Sequence, residues 1–114
     1  MLLNFNNLKI LMTGDIEKSA EKELIDLEKE IQIDILKIAH HGSKTSTSDY
    51  FLQHTRFNIV IIMSGYNNTF GFPSDITLNR LKGKNILCTS ELGSINIRFS
   101  NASQKVSIYT SSKN

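Results

Sequence analysis

Apolar positions along the chain fall into short runs, and each run stops at a polar loop. Leu2–Phe5 and Leu8–Met12 read as two strands around an Asn6-Asn7 turn, a pair that tolerates positive φ. From residue 16 to 31 the spacing becomes helical, with Ala20, Leu24, Leu27 and Ile31 on one stripe. The charges between them, including Lys22 and Asp26 at i,i+4, read as a solvated helix face. Residues 33–39 then read as a strand rich in Ile and Leu, and 59–63 as a fully apolar central strand.

A strand, a helix of about four turns and a strand predict a βαβ unit with its two strands parallel. In such a unit both strand ends lie on the same edge of the sheet. Asp15 follows the first end and His40-His41 the second, so the pattern predicts that they are neighbours. The loop of residues 64–73, after the third strand, should open on that edge too. Ser46, Thr47 and Ser48 offer N-cap oxygens for a short helix through Phe51 and Leu52 to about Thr55. Ser74 caps another carrying Ile76, Leu78 and Leu81, which Gly83 ends. Residues 85–89, 94–99 and 105–109 read as a closing set of antiparallel strands, joined by Glu91-Leu92-Gly93 and Asn101-Ala102-Ser103-Gln104. Residues 111–114 read as a frayed end. The expected fold is α/β (α+β), in a single domain over residues 1–114, with no repeats or linkers.

Composition narrows the class only a little. With 114 residues, 39% hydrophobic and 21% charged, the chain suits one soluble globular domain. A net charge of +2 does not by itself imply nucleic-acid binding, though a local basic patch remains open. No apolar run approaches the roughly 20 residues of a membrane span, and no signal peptide is readable. Cys88 is the single cysteine, which excludes an internal disulfide and zinc-ribbon chemistry.

Asp15, His40 and His41 are a carboxylate and two imidazoles at converging strand ends, a donor set suited to zinc, manganese or iron. Neighbours on a regular strand point to opposite faces, so both histidines can face one site only if the strand breaks there. Gly42 makes that break easy. The same residues have plainer uses. Asp15 suits a helix N-cap, the histidine pair suits packing and hydrogen bonding, and residues 43–48 suit turn and cap chemistry. His54 reads as a surface residue and Cys88 as a small buried hydrophobe. A catalytic zinc wants about three protein ligands, so spacing alone supports a partial metal site.

The run Leu11-Met12-Thr13-Gly14-Asp15-Ile16-Glu17, followed by Leu36-Lys37-Ile38-Ala39-His40-His41-Gly42-Ser43-Lys44-Thr45-Ser46-Thr47, resembles a known family. It is similar to the C-terminal metallo-β-lactamase-fold domain of the ComEC family of DNA-internalisation competence proteins. The likeness continues through Ser64-Gly65, Asn67-Asn68-Thr69-Phe70-Gly71 and Thr89-Ser90-Glu91-Leu92-Gly93-Ser94-Ile95. It implies an αββα sandwich, a two-metal hydrolase core of nuclease type, and a role in taking up transforming DNA. Asp15 then matches the metal-bridging aspartate, and His40 or His41 the histidine at the next strand end. Ser43, Lys44, Ser46 and Thr47 would line the substrate side, with His41 and Lys44 as catalytic candidates and Lys44 as a point charge for a phosphate.

Two departures limit the likeness. The family's His-x-His-x-Asp-His motif is absent, and Gly71-Phe72-Pro73 stands where the family usually has Gly-His-Pro. The chain therefore reads as the second half of such a domain, inactive by itself. A divalent ion, zinc or manganese, is the expected cofactor of the complete domain, and the half alone is open to holding none. Expected partners are DNA, the membrane channel portion of full-length members, and a second copy through exposed sheet surface. The chain itself reads as soluble, and as membrane-associated when part of the full-length protein. The rival readings are another phosphodiesterase or esterase of that superfamily, a non-catalytic remnant acting through a partner, and a truncated product without function.

Overall fold

The computed structural model describes residues 1–103 and 105–111. Strands β1 (Leu2–Phe5) and β2 (Leu8–Met12) pair antiparallel around Asn6 and Asn7, whose φ angles are 46° and 74°. This is the positive-φ turn expected of the two asparagines. Helix α1 (Lys18–Glu28) crosses over to the strands that follow. It is shorter than the expected 16–31 because Lys29, at φ 66°, ends it. Glu17 is its N-cap, so Asp15 is left outside the helix and does not cap it.

The apolar stripe is also rotated from the expected one. Ile25 is buried and Leu24 half-buried, whereas Leu27 is 80% exposed. Glu21, expected on the wet face, has no exposed surface. Its carboxylate accepts hydrogen bonds from the backbone N–H of Thr47 and Ser48, which turns that side of the helix inward.

The strand expected over 33–39 is confined to β4 (Ile35–Lys37), which joins the main sheet, and the end of the expected helix gives instead β3 (Ile31–Gln32), which pairs with β5 (Thr55–Arg56) in a small parallel sheet. The chain changes partner between two adjacent residues. The N–H of Ile33 goes to the Arg56 carbonyl and that of Asp34 to the Lys9 carbonyl, both at 2.9 Å. Helix α2 (Asp49–Gln53) takes Ser48 as its N-cap, with the hydroxyl accepting from the Phe51 N–H. It ends before Thr55, which belongs to β5.

Strand β6 (Ile59–Ile62), helix α3 (Asp75–Arg80) and strand β7 (Asn85–Cys88) complete the main sheet, in the order β1-β2-β4-β6-β7. β2, β4, β6 and β7 are all parallel, with Ile10, Ile35, Ile59 and Asn85 in register. β7 was expected among the antiparallel strands. Instead α3, capped by the Ser74 hydroxyl, serves as a crossover and makes β7 part of another βαβ unit. Thr89–Leu92 forms a short helix α4, where a plain connection was expected. Only β8 (Ile95–Ser100) and β9 (Lys105–Thr110) form the closing antiparallel pair.

The core lies between the sheet and its helices, around Ile25, Leu36, Ile38, Phe51, Val60 and Ile62. The β8–β9 pair meets β1 through an edge-on contact of Phe5 with Phe99, 5.5 Å between ring centroids, and an Asn6–Asn101 hydrogen bond. Gln104 of the expected last turn, and the expected frayed end beyond Ser111, lie outside the described residues. Among the described residues no helix is long and apolar enough to cross a membrane.

Candidate functional site

The loops after β2, β4 and β6 open on one cavity of about 540 Å³. Asp15 comes from the first loop, His40 and His41 from the second, and Ser64, Asn68, Phe70 and Phe72 from the third. The expected meeting of Asp15 with the histidines is therefore present. A backbone hydrogen bond joins the first two loops directly, from the His40 N–H to the Gly14 carbonyl at 2.8 Å.

The strand breaks where both histidines need it to. His40, His41 and Gly42 form a tight 3-10 turn in which all three have positive φ, at 53°, 55° and 86°. Only Gly42 suits its place. A Cβ there would stand 2.6 Å from Pro73 Cβ and 2.9 Å from Pro73 Cα. The Gly42 carbonyl accepts from the Ser74 N–H at 3.0 Å, so this contact locks the histidine turn against the start of α3.

The two imidazoles are held differently. His41 Nδ1 lies 2.8 Å from the Met63 carbonyl oxygen. A carbonyl only accepts, so Nδ1 carries a proton, and the nitrogen left to offer a lone pair is Nε2. This is how a backbone carbonyl prepares a metal-ligating histidine. His40 Nδ1 is buried without a hydrogen bond, and the Glu17 carboxylate lies 3.8 Å away. Asp15 is exposed at the cavity wall. These three groups are chemically suited to a divalent ion. They are not a complete set, since among the described residues no three of His, Cys, Asp and Glu gather into a metal-holding cluster.

The other sequence candidates lie elsewhere. Ser43 Oγ pairs with Thr45 Oγ1 at 3.0 Å, and Ser46 Oγ donates to the Ile16 carbonyl at 2.6 Å. Thr47 is buried at φ 54°, with its N–H on Glu21. Lys44 is exposed on an adjoining cavity of about 400 Å³, with Lys18 and Arg80. Arg80 Nη1 donates to the carbonyls of Lys44, Ser46 and Thr47, at 3.1, 3.2 and 3.4 Å, and so braces this loop. His54 caps the end of α2, with Nδ1 2.8 Å from the Tyr50 carbonyl, and Cys88 is buried as expected.

Asn68 is a site residue that the sequence reading did not single out. Its side chain donates to the carbonyls of Gly65 and Phe72, at 2.9 and 2.6 Å, and accepts from the Phe72 N–H at 2.9 Å. The third loop is thereby folded back on itself. The signal was an Asn beside turn-forming Gly residues, since a short amide readily bonds nearby backbone. Thr89 Oγ1 fixes the start of the same loop, exchanging hydrogen bonds with the N–H and carbonyl of Ser64. Phe72, which can neither ligate nor carry a proton, packs against both histidine rings at 6.2 and 6.5 Å.

A mainly parallel sheet whose consecutive strand ends gather a carboxylate and two histidines defines an α/β protein with its site at the C-terminal strand edge. Its relatives make that class specific. The chain is 37% identical over 101 residues to the ComE operon protein 3 of Bacillus subtilis, covering 87% of the chain and 13% of that protein. It is 41% identical over 81 residues to Recombination protein 2 of Haemophilus influenzae, covering 71% and 10%. It is 31% identical over 78 residues to Competence protein ComA of Neisseria gonorrhoeae, covering 68% and 11%. These relatives point to the competence family, ComEC. The chain spans only about a tenth of their length. No family model matches it, and no solved structure does.

Proposed function

We propose that this chain carries one side of a metal-dependent hydrolase centre in a DNA-uptake protein, within a metallo-β-lactamase-type domain. The observation that carries this reading is the convergence of Asp15, His40 and His41 on one cavity, with His41 oriented by Met63. The names of the relatives supply the competence context. Bound between such donors, a zinc or manganese ion would activate water for phosphodiester hydrolysis. The chain's own part is to present the His41 Nε2 lone pair, the His40 ring and the Asp15 carboxylate. The remaining ligands come from residues outside this chain. Lys44 meets a phosphate from the adjoining cavity, while Ser43, Ser46 and Thr47 shape the loop between them.

Two measurements test the reading. Asp15→Ala or His41→Ala, introduced into the gene in its host, should abolish or strongly reduce transformation by added DNA. Undiminished transformation in both would sink it. The purified chain with Mn²⁺ or Zn²⁺ should leave single-stranded DNA intact. Cleavage that vanishes in Asp15→Ala would show that the chain's own ligands suffice.

One observation favours a second reading, in which the chain acts by assembly. Leu2, Leu3 and Phe5 on edge strand β1 are 56%, 43% and 54% exposed, an apolar strip suited to a partner chain or a second copy. Light scattering on the purified chain decides this. A concentration-independent monomer removes the self-association form of it.

A further inference from the structure

The main sheet has a second polar edge, where its parallel strands begin. Ile10, Ile35, Ile59 and Asn85 lie in register, so the residues one place before them, Lys9, Asp34, Asn58 and Lys84, form a row across that edge. All four line one cavity of about 430 Å³, which Arg56 of β5 joins from the side of the small sheet. Ligand sites of parallel sheets ordinarily lie at the carboxyl edge, so this cavity needs chemistry of its own to carry one. Two of its cations are held in place. Arg56 Nε lies 2.8 Å from Glu30 Oε1, which steadies the guanidinium through that nitrogen. Lys84 Nζ lies 4.6 Å from the ring centroid of buried Phe57, and cation–π attraction keeps it at the cavity wall. Lys9 is tied at its backbone, where its N–H donates to Asp34 Oδ2 at 2.8 Å. Among the described residues neither Lys9 nor Lys84 is in an ion pair.

The carboxylates around these cations decide what they take. Among the described residues Asp34 is the carboxylate that lines the cavity, and Glu30 is the partner of Arg56. Glu28 stands with Glu30 in the neighbouring groove that Lys9 also lines. Three cations against three carboxylates leave little net field, so a long polyanion gains nothing from this edge. A compact dianion gains more, because its oxygens touch the guanidinium and ammonium donors directly and charge-assisted hydrogen bonds act at contact distance.

We propose that this cavity binds the phosphate group of a small anion, inorganic phosphate or a phosphate monoester, with Lys9, Arg56 and Lys84 donating to its oxygens. The Asn7 and Asn58 amides line the same cavity and meet whatever group the phosphate carries. The site lies at the opposite ends of the strands from Asp15, His40 and His41, and it stands or falls independently of the hydrolase reading. Asp34 opposes the bound charge and so keeps the affinity modest.

Amide nuclear magnetic resonance titrations of the purified chain in EDTA test this. The probes are inorganic phosphate, thymidine monophosphate and thymidine, each against sodium chloride of equal ionic strength. Both phosphates should give saturable shifts around residues 9, 34, 56, 58 and 84, and thymidine none. Equal affinity for the two supports a site for the free ion, and tighter binding of the nucleotide supports one for the ester. Lys84→Met keeps an apolar stem over Phe57 and removes the charge, so phosphate affinity should fall roughly tenfold. Asp34→Asn keeps an acceptor for the Lys9 N–H and removes the opposing charge, so it should tighten phosphate, which a purely structural Asp34 would not do. Circular dichroism confirms that both variants fold. No saturable shift with either phosphate, shifts reproduced by chloride or thymidine, or shifts centred on Lys18 and Lys44 would overturn the site. So would unchanged affinity in Lys84→Met or weaker binding in Asp34→Asn.

Discussion

Glu21 on helix α1 holds Ser48 directly: its buried carboxylate accepts the Ser48 N–H at 2.9 Å while also taking that of Thr47. Thr47 and Ser48 lead into α2, with Ser48 as its N-cap, so a side chain on α1 fixes where the histidine loop ends. The loop from His40 to Ser48 is thus pinned at one end by the sheet and at the other by a helix.

Replacing Glu21 by Ala would strand two inward N–H groups with no acceptor. The expected cost is about 3 kcal/mol, because a buried donor keeps its desolvation penalty when its charged partner is removed. Urea unfolding measures it. A loss under about 0.5 kcal/mol would show that water replaces the carboxylate and that the pinning is dispensable.

Gly42→Ala tests the lock between the histidine turn and Pro73. The new methyl meets Pro73 at 2.6 Å in a backbone conformation with φ 86°, so strain and overlap act together. About 2–4 kcal/mol of destabilisation is expected. In nuclear magnetic resonance spectra the His40, His41 and Ser74 amides should shift most. Shifts confined to residue 42 would contradict the lock.

Asn68→Ala removes three hydrogen bonds that close the third loop. Faster amide exchange is expected over residues 65–72, with β6 protection retained, since the loop can open without the sheet. Equal loss of protection in both would mean that the loop and sheet unfold as one unit.

Tyr50 donates to Asp26 Oδ1 at 2.9 Å, and Lys22 lies 2.7 Å from Oδ2. The hydrogen bond to Asp26 raises the Tyr50 phenol above its ordinary value, and the Lys22 contact lowers Asp26 below its own. Asp26→Asn should therefore move the Tyr50 titration down, as read by phenolate absorbance in a chain with Tyr66 and Tyr109 replaced by Phe. An unmoved midpoint would remove the contact from solution. For Asp26 itself, whose value is depressed by folding, any stabilisation exists above the ordinary carboxylate range and fades as pH falls through the depressed value. Solvent screening keeps it small.

Much of the site was legible because it follows from topology. Once residues 8–12, 33–39 and 59–63 read as parallel strands, Asp15, His40 and the 64–73 loop had to share an edge. What was hidden depended on contacts that period and propensity do not encode. Leu27 fits a helical stripe as well as Ile25 does, and only the Glu21 anchor decides which side faces in. The break at Ile33–Asp34 is a change of hydrogen-bond partner with no Gly or Pro to announce it. β7 looked antiparallel because nothing in Asn85–Cys88 itself records that α3 returns the chain in the parallel sense. Asn68 was visible as a turn former, but its role as a clamp emerges only when Gly65 and Phe72 fold around it.

The parallel registers of Ile10 with Ile35, Ile35 with Ile59 and Ile59 with Asn85 each join residues about 25 positions apart. Every such pairing must close a long loop before it gains a ladder of hydrogen bonds, so the sheet grows one crossover at a time. Until β6 docks, His41 has no Met63 carbonyl to set its tautomer, and the wall of Phe70 and Phe72 has nothing to lean on. The histidines therefore precede, along the chain, the contacts that orient them, and their two rings take up fixed positions only once the third parallel strand has joined the sheet.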